Sequence, residues 1–472
     1  MTIRTRFSPS PTGFIHLGNV RTAFFSALYA TKHAGHFVLR IEDTDAARSE
    51  TRFVQALEHD LQWLGIKWQE GPEVGGEYGP YWQSERQSIY AKYYDQLEQL
   101  GRIYPCFCSD QELNLARKSQ LAKGQAPRYN GKCKALTADA IQALIASGKQ
   151  PAWRFSVPLQ QLIEFIDVVK GPQKFNSSDI GDFIVRRADS TSPFLFCNAI
   201  DDATMEISHV LRGDDHLANT PRQILILQAL NLRVPNYGHL SLIVGADGAP
   251  LSKRHGSFSL QEMRSQGYLP IALANYLARL GHSFDDNTLL DFAHLAQHFN
   301  LEKLSKSAAR FDESQLLYWQ KQAVQQLSDA EFWQWLGDDI SALVPAEKHS
   351  LFAKTIRANI AFPREALAWA NDLYMQNFNF AEQELAVLQS AGHTFFQQAI
   401  NGVEEHGCNL AATFNALKAH GITGKKLFMP IRIALTNQQH GPELGPIAEL
   451  MGKDKLLQRL QQAQAAISVD IT

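Results

Sequence analysis

The sequence predicts an α/β fold that is interrupted by a long insertion and followed by an all-α C-terminal half. Short apolar runs alternate with helical patterns near the N-terminus, as in a parallel sheet covered by helices. The pattern loosens between about residues 80 and 190. Beyond about residue 321 only helical periodicity remains, in segments such as 329–335, 382–400, 409–420 and 453–467. A chain of 472 residues is too long for one hydrophobic core, so we expect several domains.

The first predicted elements are a strand, a turn and a helix. Residues 2–7 alternate polar and apolar side chains, and residues 20–28 carry apolar side chains at helical spacing that ends before Gly35. The turn between them, residues 8–19, contains two prolines and two glycines. A helix that begins after such a turn offers unpaired N–H groups and a positive dipole end to an anion. This stretch therefore predicts a nucleotide site, with His16 as a further donor to phosphate.

A second strand completes the first parallel unit. Residues 36–41 form a nearly continuous apolar run, which is typical of a strand buried on both faces. Strand, helix and strand make a right-handed βαβ unit of the Rossmann type, whose ligands bind beyond the carboxyl ends of the strands. The acidic residues 42–45 fall at that end, where Asp43 or Asp45 can cap the next helix.

Three cysteines mark the insertion. Cys106, Cys108 and Cys133 have a spacing that suggests a zinc knuckle, since thiolates and Zn²⁺ are well matched. The alternative is three buried or vestigial cysteines without metal. If zinc is bound, its role would be structural and not catalytic. Six cations surround this region without an acid between the first and the last, and the usual interpretation of such a cluster is a solvated surface. They are Arg117, Lys118, Lys123, Arg128, Lys132 and Lys134.

The nucleotide fold resumes after about residue 181. The apolar residues 194–200 predict a strand that ends at Asp201 and Asp202. Arg212 lies beside a glycine at the end of the next predicted strand, where a substrate carboxylate would sit. The alternative for Arg212 is a surface arginine paired with Asp214 or Asp215.

Composition and charge narrow the class of protein. The formal net charge is −3, so contact with nucleic acid has to come from local basic patches. Five cysteines cannot form a disulfide scaffold in this length and fit a reducing compartment. The N-terminus lacks the apolar stretch of a signal peptide, and no apolar run approaches the ~18 residues of a membrane span. We expect a soluble cytoplasmic enzyme.

Two motifs carry a resemblance to a known family. The run from Pro9 to Asn19, with His16, Leu17, Gly18 and Asn19 at its end, resembles the first signature of class I aminoacyl-tRNA synthetases in its bacterial glutamyl form. The run Leu251-Ser252-Lys253-Arg254 resembles the second signature, with Pro250 in place of its first lysine. The resemblance implies catalytic roles for His16, Gly18, Asn19 and Lys253, and ATP contacts from His16, Gly18, Ser252, Lys253 and Arg254.

A second lysine run matches the generic form of that signature more closely. It spans residues 303–307, but it follows Leu301-Glu302 and predicts the start of a helix with solvent-facing lysines. The run around Lys253 instead follows a predicted strand over the apolar residues 240–244 and lies in a glycine-flanked loop that can close over a nucleotide. We therefore assign ATP chemistry to Lys253 and regard Lys306 as structural or RNA-facing.

The resemblance also implies a glutamate pocket. Its members are Arg6, Ser10, Glu42, Asn198 and Arg212, together with Phe194 at a position where the family places a tyrosine. Glu42 would hold the ammonium group of the amino acid. A γ-carboxylate calls for a guanidinium fork, which glutamine would leave unpaired. The missing hydroxyl at Phe194 removes or replaces one hydrogen bond to the substrate.

Further residues follow from the same resemblance. Tyr129 has the offset of a tyrosine that completes the zinc site in a shorter relative, so the expected ligands are Cys106, Cys108, Tyr129 and Cys133. The basic cluster of the insertion would then contact phosphates of the tRNA acceptor end. The expected RNA contacts are Arg128, Lys132, Arg357, Lys425, Lys426 and Arg432.

The predicted organisation has five parts. They are the first half of the Rossmann catalytic domain (1–80), an inserted acceptor-binding domain (81–190), the second half with the Lys253 loop (191–258), a helical stem-contact domain (259–320) and an all-helical anticodon-binding domain (321–472). The expected activity is ligation of L-glutamate to tRNA(Glu) with ATP and Mg²⁺, by a monomer without membrane association. The alternatives are a glutaminyl-tRNA synthetase, a shorter paralogue that glutamylates a tRNA base, and a tRNA-binding module that has lost catalysis. The sequence leaves open whether a glutamine tRNA is charged as well.

Overall fold

The computed structural model describes residues 2–44, 48–251, 259–374 and 379–467. The chain forms two compact units. Unit 1 consists of Met1–Met263 and Leu273–Glu313, and unit 2 consists of Arg264–Ala272 and Ser314–Thr472. The boundaries of the five predicted parts stay a prediction. Across the described ranges, none of the helices combines the length and apolarity that crossing a membrane would require.

All strands of the described residues lie in unit 1. They are β1 (Arg4–Phe7), β2 (His36–Leu39), β3 (Ile103–Cys106), β4 (Ala152–Phe155), β5 (Leu162–Asp167), β6 (Gly171–Asn176), β7 (Phe183–Arg186), β8 (His209–Gly213), β9 (Asn236–Leu240), β10 (Ile243–Val244) and β11 (Ala309–Arg310).

The helices up to residue 298 lie wholly or partly in unit 1. They are α1 (Leu17–Lys32), α2 (Thr51–Trp63), α3 (Gln87–Gln99), α4 (Asp110–Ala122), α5 (Ala138–Ala146), α6 (Ser177–Ile180), α7 (Phe194–Thr204), α8 (Thr220–Ala229), α9 (Leu260–Ser265), α10 (Pro270–Arg279) and α11 (Phe292–His298). Short 3-10 helices include Lys132–Ala135, Asp214–Asn219 and Leu301–Lys303.

Two parallel strand pairs form the nucleotide fold. β1 pairs with β2, with Arg6 opposite Val38, and β8 pairs with β9, with Arg212 opposite His239. The backbone N–H of Ser208 donates to the carbonyl of Arg4 at 2.9 Å, which brings the start of β8 alongside β1. The parallel α/β unit that the sequence predicts is therefore present, and the carboxyl ends of its strands carry the polar residues of the site.

The insertion is antiparallel. β4 pairs with both β3 and β7, and β5 and β6 form a hairpin whose register runs from Leu162 opposite Asn176 to Asp167 opposite Gly171. At the closed end of the hairpin, Val168 donates its backbone N–H to the carbonyl of Tyr237 at 2.8 Å. The hairpin is therefore attached to β9 of the parallel fold.

Three local predictions were wrong. Residues 194–204 form the helix α7 and not a strand, because a short apolar run buried on all sides has the same sequence pattern in either structure. The run 240–244 is divided between the end of β9 and the short β10. The lysine run at 303–307 does not begin an α-helix, since a 3-10 helix ends there at Lys303.

Unit 2 is helical throughout its described residues. Its helices are α12 (Glu313–Gln326), α13 (Asp329–Leu336), α14 (Asp338–Ser341), α15 (His349–Ile356), α16 (Pro363–Tyr374), α17 (Glu382–Ala391), α18 (His393–His406), α19 (Leu410–Ala419), α20 (Lys425–Thr436), α21 (Leu444–Met451) and α22 (Lys453–Ile467). The predicted helical half is therefore confirmed. Its fully buried core includes Phe332, Phe352 and Phe396. The helix predicted over 382–400 is broken at Gly392, whose φ of 82° a glycine adopts without strain.

Candidate active site

The turn after β1 leads directly into the N-terminus of α1. His16 is the N-cap residue, and its backbone carbonyl accepts the N–H of Val20 at 3.0 Å. The cap has no side-chain hydrogen bond, and the first turn contains no acidic residue. His16, Gly18 and Asn19 are exposed. This helix end therefore presents free N–H groups and positive dipole charge to an anion, with the imidazole beside them.

A buried ion network lies at the ends of β1 and β2. Nε of Arg6 is 3.2 Å from Oδ1 of Asp202, and Nη1 of Arg40 donates to the same oxygen at 2.8 Å. Arg40 also contacts Glu42, at 3.3 Å. Burial alone would raise the pKa of Asp202, but the two guanidinium groups hold it below its ordinary value.

Glu42 occupies the other side of this network. Its Oε1 accepts a hydrogen bond from Nδ2 of Asn198 at 2.5 Å, and Oδ1 of Asn198 accepts one from Nε2 of Gln223 at 3.2 Å. All three side chains are buried. Burial raises the pKa of Glu42, although Arg40 and Arg6 oppose the shift. A cationic group brought next to Glu42 would remove this penalty on its ionised form.

Arg212 is buried at the end of β8 with only 5% of its surface exposed. Its Nε donates to Nε2 of His239 at 3.1 Å, and its Nη2 donates to Oγ1 of Thr220 at 2.8 Å. Nη1 is buried and has no hydrogen-bond partner among the residues that the structure describes. Within the same ranges, no carboxylate lies within salt-bridge distance of this guanidinium. Burial lowers the pKa of Arg212 to about 10.

The alternative interpretation of Arg212, a surface arginine paired with a neighbouring acid, is wrong. Asp214 instead pairs with Lys170 at 3.2 Å, and Asp215 lies 3.6 Å from His216. Because Arg212 is buried, has no acidic partner within the described chain and keeps Nη1 without a hydrogen-bond partner there, it is suited to receive an anion from outside the protein.

The remaining predicted pocket residues lie at the edge of this group. Ser10 is exposed in the turn before α1. Phe194 is the first residue of α7, and its ring centroid is 5.2 Å from that of His216. The structure thus brings Arg6, Glu42 and Asn198 into one buried network with Asp202.

Sequence reasoning missed several members of this site. Arg40 stands inside an apolar run, and an arginine there signals a buried acidic partner. Asp202 was noted as one of two acids, and its pairing with arginines was not predicted. Gln223, Thr220 and His239 carry no local signal, because their partners lie far away in the sequence. Ser252, Lys253 and Arg254, the predicted ATP residues of the second motif, lie outside the described residues.

The three cysteines of the insertion converge as predicted. Their sulfur atoms all lie within 4.8 Å of one another, and the sulfurs of Cys108 and Cys133 are 3.6 Å apart. The hydroxyl oxygen of Tyr129 lies 3.5 Å from the sulfurs of both Cys106 and Cys108. Tetrahedral Zn²⁺ with bonds of about 2.3 Å to sulfur places its ligand atoms about 3.5–3.8 Å apart. The donor set therefore fits a structural zinc ion.

Nearby groups would stabilise anionic ligands at this cluster. Nε of Arg154 donates to the sulfur of Cys106 at 3.1 Å, and its guanidinium stacks 3.8 Å above the ring of Tyr129. The backbone N–H of Phe107 points to the sulfur of Cys133 at 3.4 Å. Burial raises the pKa of Tyr129, so its phenolate requires a strong nearby cation.

The predicted RNA contacts are spread over both units. In unit 1, Arg128 donates to the carbonyl of Ser178 and Lys132 forms an exposed pair with Glu112. In unit 2, two of the predicted residues form an ion pair or a hydrogen bond, and the two lysines are exposed. Arg357 pairs with Asp329 at 2.5 Å, Arg432 donates to the carbonyl of Pro442 at 2.9 Å, and Lys425 and Lys426 line a cavity of about 500 Å³ with Met429 and Gln439.

Two family models match this chain, one in its N-terminal part and one in its C-terminal part. Residues 2–318 match the family described as tRNA synthetases class I (E and Q), catalytic domain, and residues 363–464 match an anticodon binding domain. Glutamate–tRNA ligase 1 of Coxiella burnetii is 50% identical over 462 residues, covering 98% of this chain and 99% of that protein. Glutamate–tRNA ligase 2 of Nitrosococcus oceani is 50% identical over 460 residues, covering 97% and 98%.

Solved structures agree with the sequence matches. A crystal structure of a glutamate tRNA ligase from Elizabethkingia meningosepticum in complex with its amino acid has a TM-score of 0.88 at 27% identity, covering 98% of this chain and 99% of that one. The predicted resemblance and the predicted fold class are confirmed. The chain belongs to the family of class I tRNA synthetases for glutamate and glutamine.

Proposed function

We propose that this protein is a glutamate–tRNA ligase that activates L-glutamate with ATP and transfers it to tRNA(Glu). Its family uses ATP with Mg²⁺, an amino acid and a tRNA. The choice of glutamate rests on Arg212, because a buried guanidinium with a free Nη1 and no carboxylate partner among the described residues calls for an anionic side chain. Glutamine is nearly isosteric but neutral, and would leave that charge uncompensated.

The other pocket residues would hold the amino-acid backbone. In this proposal Glu42, oriented by Asn198, receives the ammonium group, and Arg6 contributes positive charge for a carboxylate. Ser10 is exposed in the adjoining turn and can donate to the substrate. Phe194 contributes apolar contact where a tyrosine would add a hydroxyl.

Activation requires no protein nucleophile. The glutamate α-carboxylate attacks the α-phosphate of ATP, which gives glutamyl-adenylate and diphosphate. His16, Gly18 and Asn19 lie at the free N-terminus of α1, and this helix end supports a role in binding the phosphates. Lys253, with Ser252 and Arg254, is assigned to the diphosphate by its motif. A ribose hydroxyl of the terminal adenosine of tRNA then attacks the adenylate and releases AMP.

The remaining assignments complete the proposal. Arg128 and Lys132 would contact the acceptor end of the tRNA, and Arg357, Lys425, Lys426 and Arg432 would contact the anticodon side. Cys106, Cys108, Tyr129 and Cys133 would bind one structural zinc ion, which their donor geometry supports. None of the five cysteines forms a disulfide, which fits the proposed cytoplasmic location, and we propose a monomer.

The deciding experiment is charging of purified tRNA(Glu) and tRNA(Gln) with labelled glutamate and labelled glutamine. We expect attachment of glutamate to tRNA(Glu) and none of glutamine. Arg212→Gln should lower kcat/KM for glutamate by about 30-fold or more, because a charged partner of the substrate carboxylate is lost. Attachment of glutamine by the unaltered protein, or full activity of Arg212→Gln with glutamate, would refute the proposal.

A further inference from the structure

Asp167 accepts four hydrogen bonds at the end of β5. Its Oδ1 accepts the backbone N–H groups of Val169 at 2.9 Å, Lys170 at 2.7 Å and His239 at 3.2 Å. Its Oδ2 lies 2.5 Å from Nδ1 of His239. Both side chains are fully buried. Because the carboxylate has only lone pairs to offer, Nδ1 of His239 carries the proton.

This tautomer leaves Nε2 of His239 as an acceptor. Nε of Arg212 donates to it at 3.1 Å, and Oγ1 of Thr220 lies 3.0 Å from it. Thr220 accepts from Nη2 of Arg212 and directs its own proton to the carbonyl of His216, 3.5 Å away, because Arg212 already occupies the single lone pair of Nε2. Two nitrogens of Arg212 are thus fixed by neutral acceptors, while Nη1 stays without a partner in the described chain.

We propose that Asp167 and His239 are positioning residues that orient Arg212 towards the side chain of the amino-acid substrate and thereby set the selectivity for an acidic amino acid. This inference rests on the function proposed above for Arg212. A histidine is suited to this task because a carboxylate in its place would neutralise the guanidinium and compete with the substrate.

The inference also gives the insertion a role in amino-acid selection. Asp167 belongs to the β5–β6 hairpin, whereas His239 and Arg212 belong to the parallel fold. A Cβ on Gly238 would come within 2.7 Å of both Val168 and Leu211, so only glycine allows the hairpin tip and the two strands to approach this closely. The hairpin thereby reaches the residue that orients Arg212.

Asp167→Asn tests the proposal with almost no change in volume. The amide oxygen will face the three backbone donors at Oδ1, which turns the NH₂ group towards Nδ1 of His239. His239 must then accept at Nδ1 and carry its proton on Nε2, opposite the Nε–H of Arg212. We expect the KM for glutamate to rise about tenfold or more, with the KM for ATP unchanged, because the tautomer is wrong for orienting Arg212.

Two companion variants keep the test independent of folding. His239→Gln retains an acceptor for Arg212 and should stay within about threefold of the parent KM for glutamate, whereas His239→Leu should raise it about tenfold. Equal effects of these two variants would overturn the inference. Glu164→Gln removes a half-exposed carboxylate from the same strand and should leave every constant unchanged.

Arg212→Gln separates this inference from the proposed function. If Arg212→Gln impairs the use of glutamate and Asp167→Asn does not, the positioning role is refuted while the proposed function stands. If Arg212→Gln has no effect on the use of glutamate, the role proposed for Arg212 is refuted, and the positioning role of Asp167 and His239 is refuted with it. The double variant Asp167→Asn/Arg212→Gln should have the KM for glutamate of Arg212→Gln alone, because Asp167 acts only through Arg212. A further increase in the double variant would contradict that route.

Discussion

Arg6 and Asp202 form a buried ion pair in which Nε of the arginine lies 3.2 Å from Oδ1 of the aspartate. The same carboxylate also accepts from Arg40 at 2.8 Å, so one anion holds two buried cations. Asp202→Asn leaves these guanidinium groups without their shared counter-charge. We expect unit 1 to lose about 3–5 kcal/mol of unfolding free energy. Urea denaturation is the measurement.

The matched control is Asp95→Asn, which removes an exposed carboxylate from α3. This variant should unfold within about 0.5 kcal/mol of the parent protein. If Asp202→Asn were as stable as Asp95→Asn, the buried network would not depend on Asp202.

Glu58 predicts a pH-dependent stability. It is only 6% exposed, its Oε1 has no hydrogen-bond partner in the described chain, and burial together with Glu73 raises its pKa from 4.5 to about 7. Below pH 4.5 the folded and unfolded states are both protonated. Between pH 4.5 and about 7 the stability falls, because the unfolded state releases its proton while the folded state keeps it; above pH 7 both states are ionised and the loss is complete.

Glu58→Gln removes this penalty. We expect a stabilisation of about 1–3 kcal/mol at pH 8 and none at pH 4, measured as the difference in melting temperature from the parent protein at each pH. Glu98→Gln, an exposed change in α3, should show no such trend. A gain that is the same at both pH values would show that the effect is not ionisation of Glu58.

Local elements of the fold were predictable because their signals are local. Periodicity and turn residues gave β1, α1 and β2 close to their observed bounds, and the helical pattern of Lys453–Ile467 matched α22. The strand predicted at Phe194 failed because an apolar run that is buried on all sides has no periodicity to distinguish helix from strand.

The residues of the candidate site could be predicted only where they belong to a motif of the family. Arg6, Glu42 and Asn198 follow from the resemblance, and the structure brings them together with Arg40 and Asp202. Asp167 and His239 are 72 residues apart in the sequence, and the sequence around either residue does not indicate that the two form a pair. Such contacts arise from tertiary packing, so a single sequence does not reveal them.

Phe194→Tyr should improve the binding of glutamate. The ring of Phe194 lies beside His216 at the start of α7, and a hydroxyl there would add the hydrogen bond that the family's tyrosine implies. One such bond is worth about 1 kcal/mol, so we expect the KM for glutamate to fall about fivefold with the KM for ATP unchanged. Phe428→Tyr, on an exposed residue of unit 2, serves as the matched control. An unchanged or higher KM for glutamate would show that the hydroxyl is not accommodated.

The two lysine motifs can be separated by alanine variants. Lys253→Ala should lower ATP–diphosphate exchange, measured with tRNA(Glu) present, about 100-fold or more, because charge on the leaving diphosphate loses its partner. Lys306→Ala should retain the parent rate, since Lys306 accepts a hydrogen bond from Nζ of Lys170 through its backbone carbonyl, at 2.7 Å, and alanine keeps that carbonyl. Loss of exchange in Lys306→Ala, with Lys253→Ala active, would mean that the wrong motif had been assigned.

Variants of the predicted zinc ligands should lose zinc to different degrees. Cys133→Ser removes a thiolate from the cluster, and we expect the purified protein to lose most of its zinc. Tyr129→Phe removes the oxygen that lies 3.5 Å from two of the sulfurs, leaving three thiolates and an open position that water can fill. We therefore expect Tyr129→Phe to keep zinc but to release it to a chelator about 10–100 times more readily.

Metal analysis and competition with a chromophoric chelator measure both effects, and Co²⁺ substitution reports the ligand set through its visible spectrum. Cys408→Ser changes a free cysteine of unit 2 and should leave the zinc content and the Co²⁺ spectrum unaltered. Stoichiometric zinc in Cys133→Ser, held as firmly as in the parent protein, would exclude Cys133 as a ligand. A Co²⁺ spectrum that Tyr129→Phe does not change would exclude the phenolate, because replacing an oxygen ligand in a tetrahedral site alters the metal's electronic transitions.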